Sequence, residues 1–336
     1  MTEYQHRCIA RRFACGEYKE NHAREIMLKS ELKKLVEPSA SFMGVAHGPD
    51  NLGKDVKACI VGIPFDCGTH PFRIGSRQGP DAIREQSKLL RTVDQSGRHS
   101  IVNPTEHLGL IDIGNIRCTP GDVVSSFPVI TQTIDLLLEA KVLPISLGGD
   151  GVITLPQLRA LAKHYPDLVV LHLDAHTDTY PLEGYNTATT FTRAAEEGLL
   201  NVSSSFHIGA RGYSFIPDVL KYGKQVGYQV VSFSDFDQDI PGHIRTVRQE
   251  IGNKPVFLCF DMDIFDPAYA PGVCTPEWGG LSAKQGLNLL SQLEGLNFVG
   301  FDINTVSPPH DIGGATAFLA ATVVQRFFEL IVRKQA

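Results

Sequence analysis

Hydrophobic and polar positions alternate in blocks along most of this chain. From about residue 57, short aliphatic runs recur at Ala58–Gly62, Gly109–Ile113, Val142–Leu147, Leu168–Leu173, Ser205–Ile208, Gln229–Phe233, Val256–Phe260 and Phe298–Phe301. Most are apolar at consecutive positions, the pattern of strands covered on both faces. The segments between them are amphipathic, which predicts helices over Pro80–Leu90, Val124–Glu139, Thr154–His164, Phe191–Glu197, Pro241–Gly252, Ser282–Gln292 and Ala315–Val332. Gly79-Pro80 and the Ser282-Ala-Lys-Gln run carry helix-start chemistry. Strand and helix alternate about eight times, which means a mostly parallel sheet with helices on both faces. No Gly/Ser-rich linker divides it, so one domain over 51–336 follows a charged N-terminal arm, residues 1–50. The last helix, AFLAATVVQRFFELIV, is apolar around more of its circumference than one buried face needs. It is either a core helix or partly buried in a subunit interface.

Charge removes some function classes. The chain has 31 Lys+Arg against 37 Asp+Glu and a net charge of −6, which argues against nucleic acid or an anionic membrane as the main partner. Seven cysteines, at 8, 15, 59, 67, 118, 259 and 274, include no CxxC pair and no zinc-finger spacing. A reducing cytoplasm is expected. The N-terminus interleaves acids and bases without the apolar core of a signal peptide. Elsewhere, apolar stretches are cut by charge, Pro or Gly short of the ~20 residues a membrane span needs.

In open sheets of this kind, ligands lie beyond the carboxyl ends of the strands. Three strand ends carry the chemistry: Asp174-Ala-His176-Thr-Asp178, Asp261-Met-Asp263-Ile-Phe-Asp266, and Gly148-Gly-Asp150-Gly151. Spacing by two keeps Asp174, His176 and Asp178 on one side of an extended segment, and likewise Asp261 and Asp263. Carboxylates so crowded repel unless a cation neutralises them. Mixed carboxylate and imidazole ligands suit Mn²⁺, Fe²⁺, Ni²⁺ or Zn²⁺. One such motif alone fits a loop turn or helix cap; two at separate strand ends favour metal binding.

LHLDAHTDTY, FLCFDMDIFDPAYAPG and SLGGDG resemble the three signature segments of the ureohydrolase family, which includes arginase and agmatinase. GIPFDCG from Gly62 to Gly68, RQGPDAIR from Arg77, HIGARG from His207, TPEWGGL from Thr275 and SPPHD from Ser307 extend the likeness over about 42–332, closest to the agmatinase-like branch. The resemblance implies a three-layer α/β/α fold with an eight-stranded, mostly parallel sheet. It also implies trimers or hexamers, two Mn²⁺ or Ni²⁺ ions, and hydrolysis of a guanidino or amidino carbon with release of urea or a related product. Asp174, His176, Asp178, Asp261 and Asp263 take the ligand positions.

Three positions depart from the family pattern. Gly151 stands where a histidine ligates the first metal, and glycine supplies no ligand atom. Thr187 stands where a histidine serves proton transfer, and its hydroxyl does not titrate near neutral pH. Thr305 stands where a glutamate contacts the substrate cation, and offers no two-oxygen acceptor. His172 reads as a satisfied core histidine and His310 as a surface-loop residue. The combination predicts a degenerate site that holds at most one Mn or Ni ion per chain. It resembles the site-degenerate partner in heteromeric ureohydrolases such as metformin hydrolase, where a catalytic paralogue completes the oligomer. An active amidinohydrolase of agmatinase or guanidinobutyrase type with an altered site is the alternative.

Overall fold

The computed structural model describes residues 22–67, 72–92 and 103–335. Its strands are β1 (Val36–Glu37), β2 (Ala46–His47), β3 (Ala58–Ile63), β4 (Ile111–Ile116), β5 (Leu143–Gly148), β6 (Val169–Leu173), β7 (Phe206–Ala210), β8 (Gln229–Ser232), β9 (Pro255–Asp261) and β10 (Asn297–Asn304). They form one sheet in the order β1-β4-β3-β5-β10-β9-β6-β7-β8, with β2 also paired to β4. From β4 through β8 that path is parallel throughout, and β1 closes one edge antiparallel. The expected strands are all present, with ends shifted by up to three residues. The two-residue β1 and β2 are too short to leave a periodic signal.

Every residue of β3, β4, β6 and β7 is buried, the polar Asp112, Asn115, His172 and His207 included. On one face Ile83, Ile244, Leu289 and Phe327 join a core with the helices Gly79–Ser87, Ile240–Ile251, Ala283–Gln292 and Ala315–Gln335. On the other, Leu32, Ile130, Leu158 and Phe191 bring in the helix over 22–35 and the helices Val123–Glu139, Thr154–His164 and Thr190–Glu196. The result is the three-layer α/β/α arrangement. Of the arm assigned to 1–50, residues 22–50 are built into this body, with Leu28, Leu32 and Phe42 buried. Residues 1–21, with Cys8 and Cys15, and Gly68 lie outside the described residues.

The apolar C-terminal helix is covered within its own chain. Phe327 stacks on Phe301 of β10 with ring centroids 4.4 Å apart and meets Phe298 edge-on at 5.3 Å. By length and composition the stretch Ala315–Arg333 could cross a membrane, yet 67% of its apolar window is buried inside the protein. Most of its hydrophobicity is that of a core helix.

A buried ion pair ties the first helix after β3 to the sheet. Arg84 and Asp112 are both 0% exposed. The guanidinium Nε and Nη2 donate to Asp112 Oδ2 and Oδ1 at 2.8 and 3.0 Å, a two-pronged geometry. Gly62 leaves the room: a Cβ there would lie 1.9 Å from Asn115 Oδ1 and 2.8 Å from Arg84 Nη1. Removing one partner strands the other's charge in the core. Arg84→Leu is expected to lower unfolding stability in urea by about 3–5 kcal/mol; a loss under 1 kcal/mol would contradict this role for the pair.

Candidate functional site

The central strands β5, β10, β9 and β6 bring four loops to one end of the sheet, where the chain changes direction across the strand order. Asp150 and Gly151 follow β5, Asp174, His176 and Asp178 follow β6, Asp261 ends β9 with Asp263 just beyond, and Thr305 follows β10. The five candidate ligands therefore converge with the three departing positions, Gly151, Thr187 and Thr305. A cavity of about 200 Å³ opens over them, with Asp66, Arg73, Ile74, Tyr180, Phe215 and Cys274 on its walls. Arg73 fastens the loop after β9 by donating to the carbonyls of Pro271, Val273 and Cys274 at 2.6–3.2 Å. His310 instead bonds Ser307 Oγ through Nδ1 at 2.8 Å and does not line this cavity.

Asp174, Asp178, Asp261 and Asp263 are each at most 3% exposed. His176 Nδ1 lies 3.1 Å from Asp174 Oδ1 and 3.5 Å from Asp263 Oδ2. These three side chains offer donor atoms within 4.8 Å of one another. The backbone fixes them further: the N–H of His176 donates to Asp174 Oδ1 at 2.7 Å, and that of Ala175 to Asp263 Oδ1 at 3.1 Å. Across the cluster, Asp178 Oδ2 and Asp261 Oδ1 are buried without hydrogen-bond partners. Orphaned carboxylate oxygens of this kind fit a cation between them. The donor set thus suits one ion at Asp174, His176 and Asp263, while His172, Asp174 and Asp178 form a second candidate group.

His172 corrects the sequence reading. It is fully buried, and its Nδ1 pairs with His207 Nδ1 at 2.8 Å. Its Nε2, however, faces the cluster, 2.9 Å from Asp174 Oδ2 and 3.4 Å from Asp261 Oδ2. The signal was in the sequence: two residues before Asp174 on a strand places it on the same side. Asp66, Arg73 and Cys274 also gave no motif that tied them to this cavity.

The electrostatics follow from burial. Burial lowers the imidazolium of His172, but Asp174 and then Asp261 outweigh it and lift its pKa to about 10. His176 is raised too, since Asp263 and Asp174 overcome its burial. Burial followed by the charge of Asp174 pushes Asp178 well up, Asp261 to about 7 and Asp263 to about 6. Asp174 alone goes down, because His172 and His176 more than offset its burial. His207 is driven down by burial and by the neighbouring His172.

Gly151 and Thr187 meet at the orphaned oxygens. A Cβ on Gly151 would lie 2.8 Å from Thr187 Cγ2, 3.2 Å from Asp178 Oδ2 and 3.7 Å from Asp261 Oδ1. The third departure, Thr305, turns its hydroxyl into the backbone: Oγ1 donates to the Asn304 carbonyl at 2.7 Å and accepts from the Met262 N–H at 3.2 Å. Its φ of 70° is a strained conformation for a β-branched residue. Asp178, at φ 48°, is strained as well.

A parallel α/β/α body thus gathers paired carboxylates and histidines at the switch point, a donor set that fits a divalent cation. The arginase-family profile matches residues 56–329, and the chain belongs to that family. It is 38% identical over 278 residues to the mitochondrial guanidino acid hydrolase of Homo sapiens, covering 82% of this chain and 77% of that protein. The guanidinopropionase of Pseudomonas aeruginosa is 37% identical, covering 81% and 85%. The structure of proclavaminate amidino hydrolase from Streptomyces clavuligerus superposes with a TM-score of 0.82 at 33% identity, covering 89% of this chain and 99% of that one.

One buried carboxyl behind the site is testable by pH. Asp302 is 0% exposed, accepts from Thr154 Oγ1 at 2.6 Å and Gln157 Nε2 at 2.9 Å, and is pushed by burial to about 7. The folded state therefore holds its proton more tightly than the unfolded chain. Its favourable contribution is complete below the unfolded value of 3.8 and fades as pH rises through about 7. The stability of Asp302→Asn relative to the native chain should rise between pH 4 and 7 in urea titrations. A pH-independent difference would show that Asp302 does not titrate in that range.

Proposed function

We propose that this chain is a catalytically impaired arginase-family subunit that assembles with an intact paralogue, in a trimer or hexamer, to hydrolyse a guanidino or biguanide compound. The observation that carries the reading is the meeting of Gly151 and Thr187 against Asp178 Oδ2 and Asp261 Oδ1: no imidazole projects from either position onto those oxygens. Names of relatives supply the substrate class, since guanidino acid hydrolase and guanidinopropionase act on guanidino compounds.

His176, Asp174 and Asp263 would hold one Mn²⁺ or Ni²⁺. Such an ion supplies an activated water or a polarised carbon centre. The residues around it do less than a hydrolytic site needs. Thr187 has no titrating group with which to protonate a leaving amine. Thr305 has committed its hydroxyl to the backbone and presents no carboxylate to a planar cation. The cavity, its Arg73-fastened wall and the fold persist, as expected of a chain retained for assembly or pocket shape.

The second reading, an active amidinohydrolase of agmatinase or guanidinobutyrase type with an altered site, is compatible with the hydrolase names of the relatives. Purified alone with Mn²⁺ or Ni²⁺, the chain is expected to release urea from guanidino acids at least about 10³-fold more slowly than the co-expressed complex; comparable turnover by the lone chain would establish the second reading instead. Native mass measurement of the co-expressed pair should show a mixed oligomer, and two separate homomers would count against assembly. Elemental analysis should find at most one tightly bound ion per chain, lost in His176→Ala.

A further inference from the structure

Gly151 and Thr187 enter the sequence as separate departures, but the structure makes them neighbours. The 2.8 Å approach of a Gly151 Cβ to Thr187 Cγ2 is closer than real side chains come, so any residue larger than glycine at 151 must displace Thr187. Thr187 is stiff at χ1 and opens a short helical turn, Thr187–Thr189, whose backbone and neighbours are tied to their surroundings. The Asn186 N–H donates to Thr189 Oγ1 at 3.1 Å. The Tyr180 N–H donates to the Ala188 carbonyl at 2.9 Å, and the Phe191 N–H to the Asp178 carbonyl at 3.0 Å. Thr190 Oγ1 donates to the carbonyl of Gly151 itself at 3.3 Å, stitching the two segments together.

The same Cβ would lie 3.2 Å from Asp178 Oδ2 and 3.7 Å from Asp261 Oδ1, the cluster's partnerless carboxylate oxygens, so a side chain at 151 would touch both the threonine and those oxygens.

The geometry points to Thr187 as a lock on this half of the site. Its methyl group fills the space that a nitrogen ligand at 151 needs, so a divalent cation can be recruited between Asp178 and Asp261 only when both positions change together. This deepens the proposed impairment and rests on that reading: the second ion is kept out by packing as well as by a missing ligand. Reversal therefore requires a paired change, and single substitutions at 151 meet a steric barrier first.

The test compares the full chain with Gly151→His, Thr187→Ala and the double variant, each loaded with Mn²⁺ and desalted. The expected result is an unchanged ion count in both single variants and about one more bound ion per chain in the double, with an exchange-coupled two-ion spectrum by electron paramagnetic resonance. A Gly151→His chain that gains as much metal as the double overturns the lock, and so does a double variant that gains none.

Where a histidine variant fails to fold, Gly151→Ala decides the matter. In metal-free protein it should lower Tm by several degrees, with most of that loss recovered in Gly151→Ala/Thr187→Ala. Additive effects of the two alanine changes contradict the lock. Neither readout depends on turnover, so urea release by the native chain alone would sink the impaired-subunit reading while leaving the coupling to be judged separately.

Discussion

Four carboxylates held out of water at the mouth of an apolar sheet are the constraint on which this structure depends. Asp174, Asp178, Asp261 and Asp263 sit where desolvation penalises each charge and proximity penalises them jointly. Two histidines, His172 and His176, reach the cluster from one strand end and hold Asp174 ionised. The other three acids are pushed upward, and Asp178 Oδ2 and Asp261 Oδ1 have no partner. A cation at Asp174, His176 and Asp263, where an imidazole completes the donors, would relieve this strain. Position 151, a glycine, sends no nitrogen toward Asp178 and Asp261, and Thr187 stands against the place from which one would come.

The body around that cluster is intact. Parallel strands deliver the loops in register, the Arg84–Asp112 pair locks a helix to the edge of the sheet, and Arg73 and Arg211 tie the loop after β9 to its surroundings. Arg211 Nη2 donates to the Asp263 carbonyl at 2.6 Å, holding the backbone that presents that carboxylate. Positive φ at Asp178 and Thr305 marks backbone bent toward the cavity.

Much of this was legible in the sequence. Continuous apolar runs located the parallel strands because burial on both faces leaves no alternation to misread. The carboxylate spacings located the site because strand periodicity puts alternate residues together. The short elements escaped: β1 and β2 are two residues each, and helices such as Val219–Val226 are too brief for a clear period. His172 escaped for a different reason. Its neighbours in sequence are apolar, so it looked like a core residue, and only the structure shows one ring nitrogen in the core and the other among the acids. The contact between Gly151 and Thr187, 36 positions apart, is a tertiary fact that no local pattern encodes.

Anomalous scattering from crystals of the native chain grown with excess Mn²⁺ reads the centre of this question directly. A single peak beside Asp174, His176 and Asp263, with none between Asp178 and Asp261, is the predicted result. Two peaks of comparable height, a few ångströms apart, would show that the chain assembles a full two-ion centre and would contradict a degenerate site.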